Sequence, residues 1–159
     1  ALSNGATNGM KLAANVAAML VAFVALIAMV NAILGLMDLS LQQIFGWLFS
    51  PLAWVMGVPW TEAGIIGSLM GEKLVLTELI AYGDLAKLIA TNSISDRSAI
   101  IASYALCGFA NFASVGIQLG GIGGIAPERR KDLAKLGLKA MFGGALASWL
   151  TATIAGLLI

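Results

Sequence analysis

Between Lys11 and Asp38 the chain reads LAANVAAMLVAFVALIAMVNAILGLM, residues 12–37, 26 positions without a charge. At about 1.5 Å per residue, a helix of that length runs roughly 39 Å, enough to cross the ~30 Å hydrocarbon core of a bilayer. Asn15 and Asn31 are its only strongly polar interior residues, and alanines at 14, 18, 22, 25, 28 and 32 keep one side narrow for close helix contact. The window predicts a transmembrane span. The whole composition points the same way. Of 159 residues, 60% are hydrophobic and 11% charged, where a soluble domain carries about 25% charged residues. A mean hydropathy of +0.94 argues against a soluble globular protein and against disorder. Nineteen glycines against three prolines suit packed membrane helices.

Several function classes are excluded at this level. The net charge of +1 gives no bulk attraction to nucleic acid, and no nucleic-acid partner is expected. The absence of histidine removes the usual general base and the commonest metal ligand. A single cysteine, Cys107, excludes an internal disulfide and a thiolate zinc site, and reads as a small buried hydrophobe. No phosphate-cradling loop, paired histidines or nucleophile elbow is present. The chain is therefore expected not to be an enzyme, with no catalytic residue, no metal site and no cofactor. It opens on Ala1 without a secretory signal pattern, and reads as a piece of a longer chain.

Outward from the first window, residues 39–60 are apolar but interrupted by Gln42, Gln43, Pro51 and Pro59, and crowded with Phe45, Trp47, Phe49, Trp54 and Trp60. Tryptophan favours the headgroup level and Pro51 would break a helical ladder, so a helix lying at the interface is preferred to a crossing one. Residues 61–90 scatter Glu62, Glu72, Lys73, Glu78, Asp84 and Lys87 among apolar positions. Neither half can cross alone. The stretch is either an amphipathic surface helix or a re-entrant hairpin of two half-length helices buried in protein, and no glycine or proline marks a tip between Leu74 and Glu78. A polar turn at 91–96 follows, with Ser95 or Asp96 placed to cap the next helix.

Residues 98–127 are uncharged for 30 positions, longer than one straight span needs, with Gly108-Phe109-Ala110-Asn111 in the middle. A helix broken there, with polar groups at the break, accounts for the pattern. Residues 128–139 carry five basic side chains against two acidic ones. They read as a positive-inside signal that places this end in the cytoplasm, with lipid-headgroup binding the lesser alternative. In the last span Gly144, Ser148, Ala152 and Gly156 recur every four residues as a small-residue stripe.

The chemistry left to the chain lies in polar groups at membrane depth. Glu78 sits in apolar company, and Asn111 and Ser114 are three apart, so on a helix they would share a face. Such groups usually face a bundle interior or an aqueous cavity, and broken helices with freed backbone groups are how many transporters build midplane sites.

These blocks resemble the concentrative nucleoside transporter family. The resemblance rests on Thr77-Glu78-Leu79-Ile80-Ala81-Tyr82, Ala105-Leu106-Cys107-Gly108-Phe109-Ala110-Asn111, Ala126-Pro127-Glu128-Arg129-Arg130-Lys131-Asp132 and Thr151-Ala152-Thr153-Ile154-Ala155-Gly156. It also rests on Ser3-Asn4-Gly5-Ala6 and Gly57-Val58-Pro59-Trp60. It covers nearly the whole chain, in order, and matches the family's C-terminal half, often called the gate domain. It implies an all-α integral membrane fold, one half of an inverted-repeat transporter: a scaffold helix (10–37), an interfacial helix (41–60), a re-entrant hairpin (61–90), a broken transmembrane helix (97–124) and a final helix (128–159).

By the same resemblance, Glu78 would accept hydrogen bonds from ribose hydroxyls. Asn111 and Ser114 would bind the sugar from the break, and Phe109 would form an apolar wall. It further implies a cation-coupled (Na+ or H+) nucleoside symporter of the cytoplasmic or inner membrane, multi-pass and a homotrimer as the full-length protein. The coupling-ion site and most base recognition would lie in the other half. The alternatives from other classes are a stand-alone membrane gate or binding module without coupled flux, and a purely structural membrane subunit.

Overall fold

The computed structural model describes residues 2–159; the side chains of Leu2, Ser3, Asn4, Met19 and Phe23 lie outside the described residues, and with them part of the Ser3-Asn4 block. Among the described residues the chain is helical throughout, with no strand. Seven α-helices and one short 3-10 turn run in the order α1 (Leu2–Gly35), α2 (Leu41–Val55), α3 (Trp60–Val75), α4 (Glu78–Ala90), α5 (Asp96–Leu106), α6 (Phe112–Ile125), the turn Pro127–Arg129, and α7 (Arg130–Leu158). The helical stretches Gly5–Gly35 and Pro127–Leu158 are long and apolar enough to cross a bilayer by length and composition.

The first helix begins at Leu2, well before the charge-free window. Lys11 does not stop it, because a charge sets where lipid can begin whereas backbone hydrogen bonding sets where helix begins. Asn31 turns its amide to the entry of the next helix: its Oδ1 accepts from Leu41 N at 2.9 Å and its Nδ2 donates to Gln42 Oε1 at 3.1 Å. At the start of α2, Ser40 and Gln43 form a reciprocal capping box.

Pro51 lies inside α2 and does not end it. The missing N–H costs one ladder bond, but the helix is held laterally against α3. Gly46, Gly67 and Gly71 let the two backbones approach closely. A Cβ on Gly67 would lie 2.7 Å from Gly46 O and 2.8 Å from Ser50 N, and one on Gly71 would strike Phe45.

Helices α3 and α4 are joined through Leu76 and Thr77 and pack on each other. No glycine or proline makes this break. Leu76 leaves helical geometry at φ −98°, ψ −102°, and Thr77 is extended at φ −150°, ψ 159°. Ser95 caps α5, accepting from Ser98 N at 3.3 Å, while the Glu62 carboxylate accepts from Ser95 N and Oγ and ties the start of α3 to the start of α5.

The core gathers α2, α3, α5 and α7. Ala53, Ala63, Ile66, Met70, Ile101, Ala102, Ala105, Leu106, Ala145 and Ala152 are essentially solvent-free. The small-residue stripe of α7 lies in this contact: Gly156 is pressed against Met56 O and Ile101, and Gly144 faces Ala110. Arg97 closes the same end. Its Nε donates to Gly57 O at 3.0 Å and its Nη2 to Gly156 O at 2.6 Å. What this packing positions is the gap between α5 and α6, beside the gap between α3 and α4.

Candidate functional site

The uncharged run 98–127 is not one helix. It stops at Leu106 and restarts at Phe112. Gly108 makes the turn at φ +100°, a conformation that strains any residue with a Cβ. A Cβ there would also lie 3.2 Å from Ser148 Oγ. Cys107 is exposed at this break, which corrects its reading as a buried hydrophobe. Its neighbours explain the exposure, since α5 ends one residue earlier and the chain turns outward at Gly108.

Asn111 occupies the N-cap of α6, with extended backbone at φ −143°, ψ 166°. Its Oδ1 accepts from Ser114 N at 2.7 Å. The three-residue spacing of Asn111 and Ser114 is thus a cap spacing rather than two positions on one helical face, and it commits the amide oxygen to the backbone. The amide nitrogen is left to act elsewhere. Asn111 Nδ2 donates to Glu78 Oε2 at 3.0 Å, across 33 residues of sequence.

Glu78 is the first residue of α4, and Thr77 before it makes no side-chain cap bond. The first N–H groups of α4 have no intrahelical acceptor, and the partial positive charge of that helix end favours an anionic side chain there. Two helix N-termini therefore meet at one polar pair. Asn111 is 1% exposed while Glu78 is half-buried, so the pair is closed on the amide side and accessible on the carboxylate side.

A cavity of about 400 Å³ opens between α6 and α7. Phe109, Asn111 and Ser114 line it, with Gln118 one turn below Ser114 and Gly144 opposite. Phe109 is 77% exposed, a large apolar side chain with nothing over it. The Ser114 hydroxyl has no partner among the described residues. Glu78 does not line this cavity and joins it only through Asn111.

Of the four residues read from the sequence, the structure therefore places three on one cavity wall and the fourth in hydrogen-bond contact with one of them. Sequence reasoning passed over two further groups. Gln118 is the lone polar residue deep in an apolar helix, a signal that was present at i+4 from Ser114. Lys73 stands in the sequence as one of the charges scattered over residues 61–90 but is 1% exposed, and nothing in the local sequence separates it from its neighbours. Among the described residues no cluster of side chains could hold a metal ion.

Comparison with known proteins places this arrangement among transporters. A family profile described as Na+ dependent nucleoside transporter C-terminus matches residues 1–156. The chain is 51% identical to the uncharacterized transporter YutK of Bacillus subtilis, over 100% of this chain and 41% of that protein. It is 41% identical to the nucleoside permease NupC of Helicobacter pylori, over 100% of this chain and 40% of that one. Among solved structures, a doubly substituted CNTnw in an outward-facing state superposes with a TM-score of 0.89 at 49% identity, covering 98% of this chain and 41% of that chain. The chain thus spans about two-fifths of the length of the relatives it matches. These relatives are transporters and permeases, not enzymes.

Proposed function

Since the chain belongs to the Na+-dependent nucleoside transporter family, whose C-terminal profile it matches from residue 1 to 156, we propose that it supplies the ribose-binding half of a cation-coupled nucleoside symporter. The observation that carries this reading is the 3.0 Å hydrogen bond from Asn111 Nδ2 to Glu78 Oε2, which joins the two helix breaks at one point. A cis-diol presents two O–H donors and acceptor lone pairs on adjacent carbons. Glu78 keeps its second oxygen free to accept, while Asn111, solvent-free otherwise, can offer its second N–H only at the wall it gives the cavity. Ser114 adds a free hydroxyl, and Phe109 an apolar face against which a flat ring system can lie.

The carboxylate is oriented before the ligand arrives, so little ordering is left for binding. A ligand lacking the hydroxyl would leave a partly buried carboxylate without its partner, which is how a polar site discriminates strongly. In this reading α3 and α4 form a re-entrant hairpin, α2 lies at the interface, and the hairpin and the broken helix move together against α1. The basic stretch at the start of α7 faces the cytoplasm, and the full-length protein assembles as a trimer.

The test is equilibrium binding of uridine and its 2′- and 3′-deoxy analogues to the full-length transporter, wild type and Glu78→Gln. Hydrogen bonds to charged groups contribute about 1.5–3 kcal/mol, so the substitution should weaken uridine binding by about ten- to a hundredfold. It should weaken binding of the analogue lacking the contacted hydroxyl much less. Equal losses for uridine and both analogues would remove Glu78 from the sugar site.

A further inference from the structure

Lys73 is the largest fully buried side chain described, at 1% exposed. It sits near the end of α3, two residues before the helix stops at Val75. Its ammonium donates to Ala105 O and to Cys107 O, each at 3.3 Å. No carboxylate of the described residues lies within ion-pair distance of it. Its hydrogen-bond partners are backbone carbonyls alone, with the Glu78 carboxylate acting on it from beyond contact distance.

Those carbonyls are a particular pair. Ala105 and Cys107 are at the C-terminal end of α5, where the last carbonyls of a helix have no intrahelical partner and the helix dipole is negative. The break at Gly108 leaves them without helical partners, free to accept from elsewhere. Ser148 Oγ of α7 donates to the same Cys107 O at 2.6 Å, so one carbonyl is gripped from the hairpin and from the closing helix. A methionine would fill a similar volume without the cost of burying a charge, and burying a cation is unfavourable unless its surroundings need one. Here they do: Lys73 sets its solvent-free ammonium against the partly negative carbonyl end of a broken helix, which favours a positive charge.

We propose that Lys73 is a tethered cation. Its ammonium occupies the place at the end of α5 where a free monovalent cation would otherwise have to neutralise the carbonyls of the broken helix. It thereby fixes the break, and with it Asn111, to the hairpin that carries Glu78. It is a positioning residue: it acts on the substrate site through the Ala105–Cys107 backbone. This half of the site accordingly needs no ion of its own at the break. The binding arm of the test below rests on the nucleoside reading; the labelling arm does not.

The test uses the full-length transporter with cysteines other than Cys107 removed, and compares Lys73→Ala, Lys73→Met and Lys73→Arg with wild type. Two quantities are measured: uridine affinity, and the rate at which a thiol reagent modifies Cys107, which is exposed at the break. Both Lys73→Met and Lys73→Ala should bind uridine at least tenfold more weakly and change the Cys107 labelling rate severalfold. Lys73→Arg, which keeps the charge, should lie nearer wild type. Ethylammonium should restore both quantities at least threefold in Lys73→Ala, where a cavity is left, and in neither case in Lys73→Met, where the volume is filled. Propanol, of similar size and uncharged, should restore nothing.

Should Lys73→Ala fail to fold, Lys73→Met carries the test, because an apolar side chain suits a solvent-free position. A Lys73→Met protein with wild-type affinity and wild-type labelling overturns the proposal. So does equal rescue of Lys73→Ala by ethylammonium and propanol. Labelling that follows the expected pattern while the wild type itself binds no uridine sustains the tethered cation and refutes the nucleoside reading instead.

Discussion

Asn111 holds two bonds at once, and a pair of substitutions separates them. Asn111→Ser keeps an N-cap oxygen for Ser114 N but is too short to donate to Glu78, which the amide reaches at 3.0 Å. Asn111→Ala loses both. The bond to an ionised carboxylate is of the class that contributes about 1.5–3 kcal/mol, and an N-cap about 1 kcal/mol. With about 1.4 kcal/mol per decade, Asn111→Ser should weaken uridine binding to the full-length transporter by about ten- to a hundredfold, and Asn111→Ala by about a further fivefold. Asn111→Asp makes the sign of the argument visible. Aspartate caps as well as asparagine, but it sets a second carboxylate beside Glu78. At neutral pH the two repel and the loss should exceed that of serine. The assay is equilibrium uridine binding for the three variants and wild type. If alanine and serine cost the same, the cap contributes nothing to the site. If aspartate costs no more than serine, the Asn111–Glu78 contact is not what orients the carboxylate.

Three further outcomes follow from the geometry. Gly67→Ala should lower the thermal transition of the full-length protein, equivalent to about 1–3 kcal/mol of overpacking, because its Cβ would meet Gly46 O at 2.7 Å; Gly64→Ala, with only Ser50 Oγ at 3.8 Å, should be neutral or slightly stabilising, and differential scanning fluorimetry of the two decides it. A cysteine at Lys131 in a Cys107→Ser background should resist an impermeant thiol reagent in intact cells, because five basic residues, Arg129 to Lys139, cluster at the start of the last long helix; ready labelling from outside would reverse the topology. Vesicles reconstituted with residues 1–159 alone should show no gradient-driven uridine uptake, since the chain spans about two-fifths of its relatives, and concentrative uptake would refute the half-site argument.

The sequence by itself determined that the chain is helical and apolar enough for lipid. Helix formation depends on local backbone bonding, and long uncharged windows such as 12–37 leave no other way to satisfy that backbone in hydrocarbon. The excess length of the uncharged run 98–127, with Gly108 and Asn111 at its centre, made an interruption legible, because glycine and a capping residue act on their own neighbours. The family blocks made the four site residues nameable.

Only the tertiary structure decided what those residues do to one another. Pro51 reads as a helix breaker, yet α2 runs through it because α3 braces it through Gly67 and Gly71, distant in sequence. The break at Leu76 carries no local signal at all. Asn111 and Glu78 meet across 33 residues, and Lys73 reaches carbonyls 32 and 34 residues distant. A charge in an apolar helix looks the same on paper whether it faces water or the end of another helix. Which it faces depends on the packing of α3 against α5, a long-range contact that no window of sequence contains.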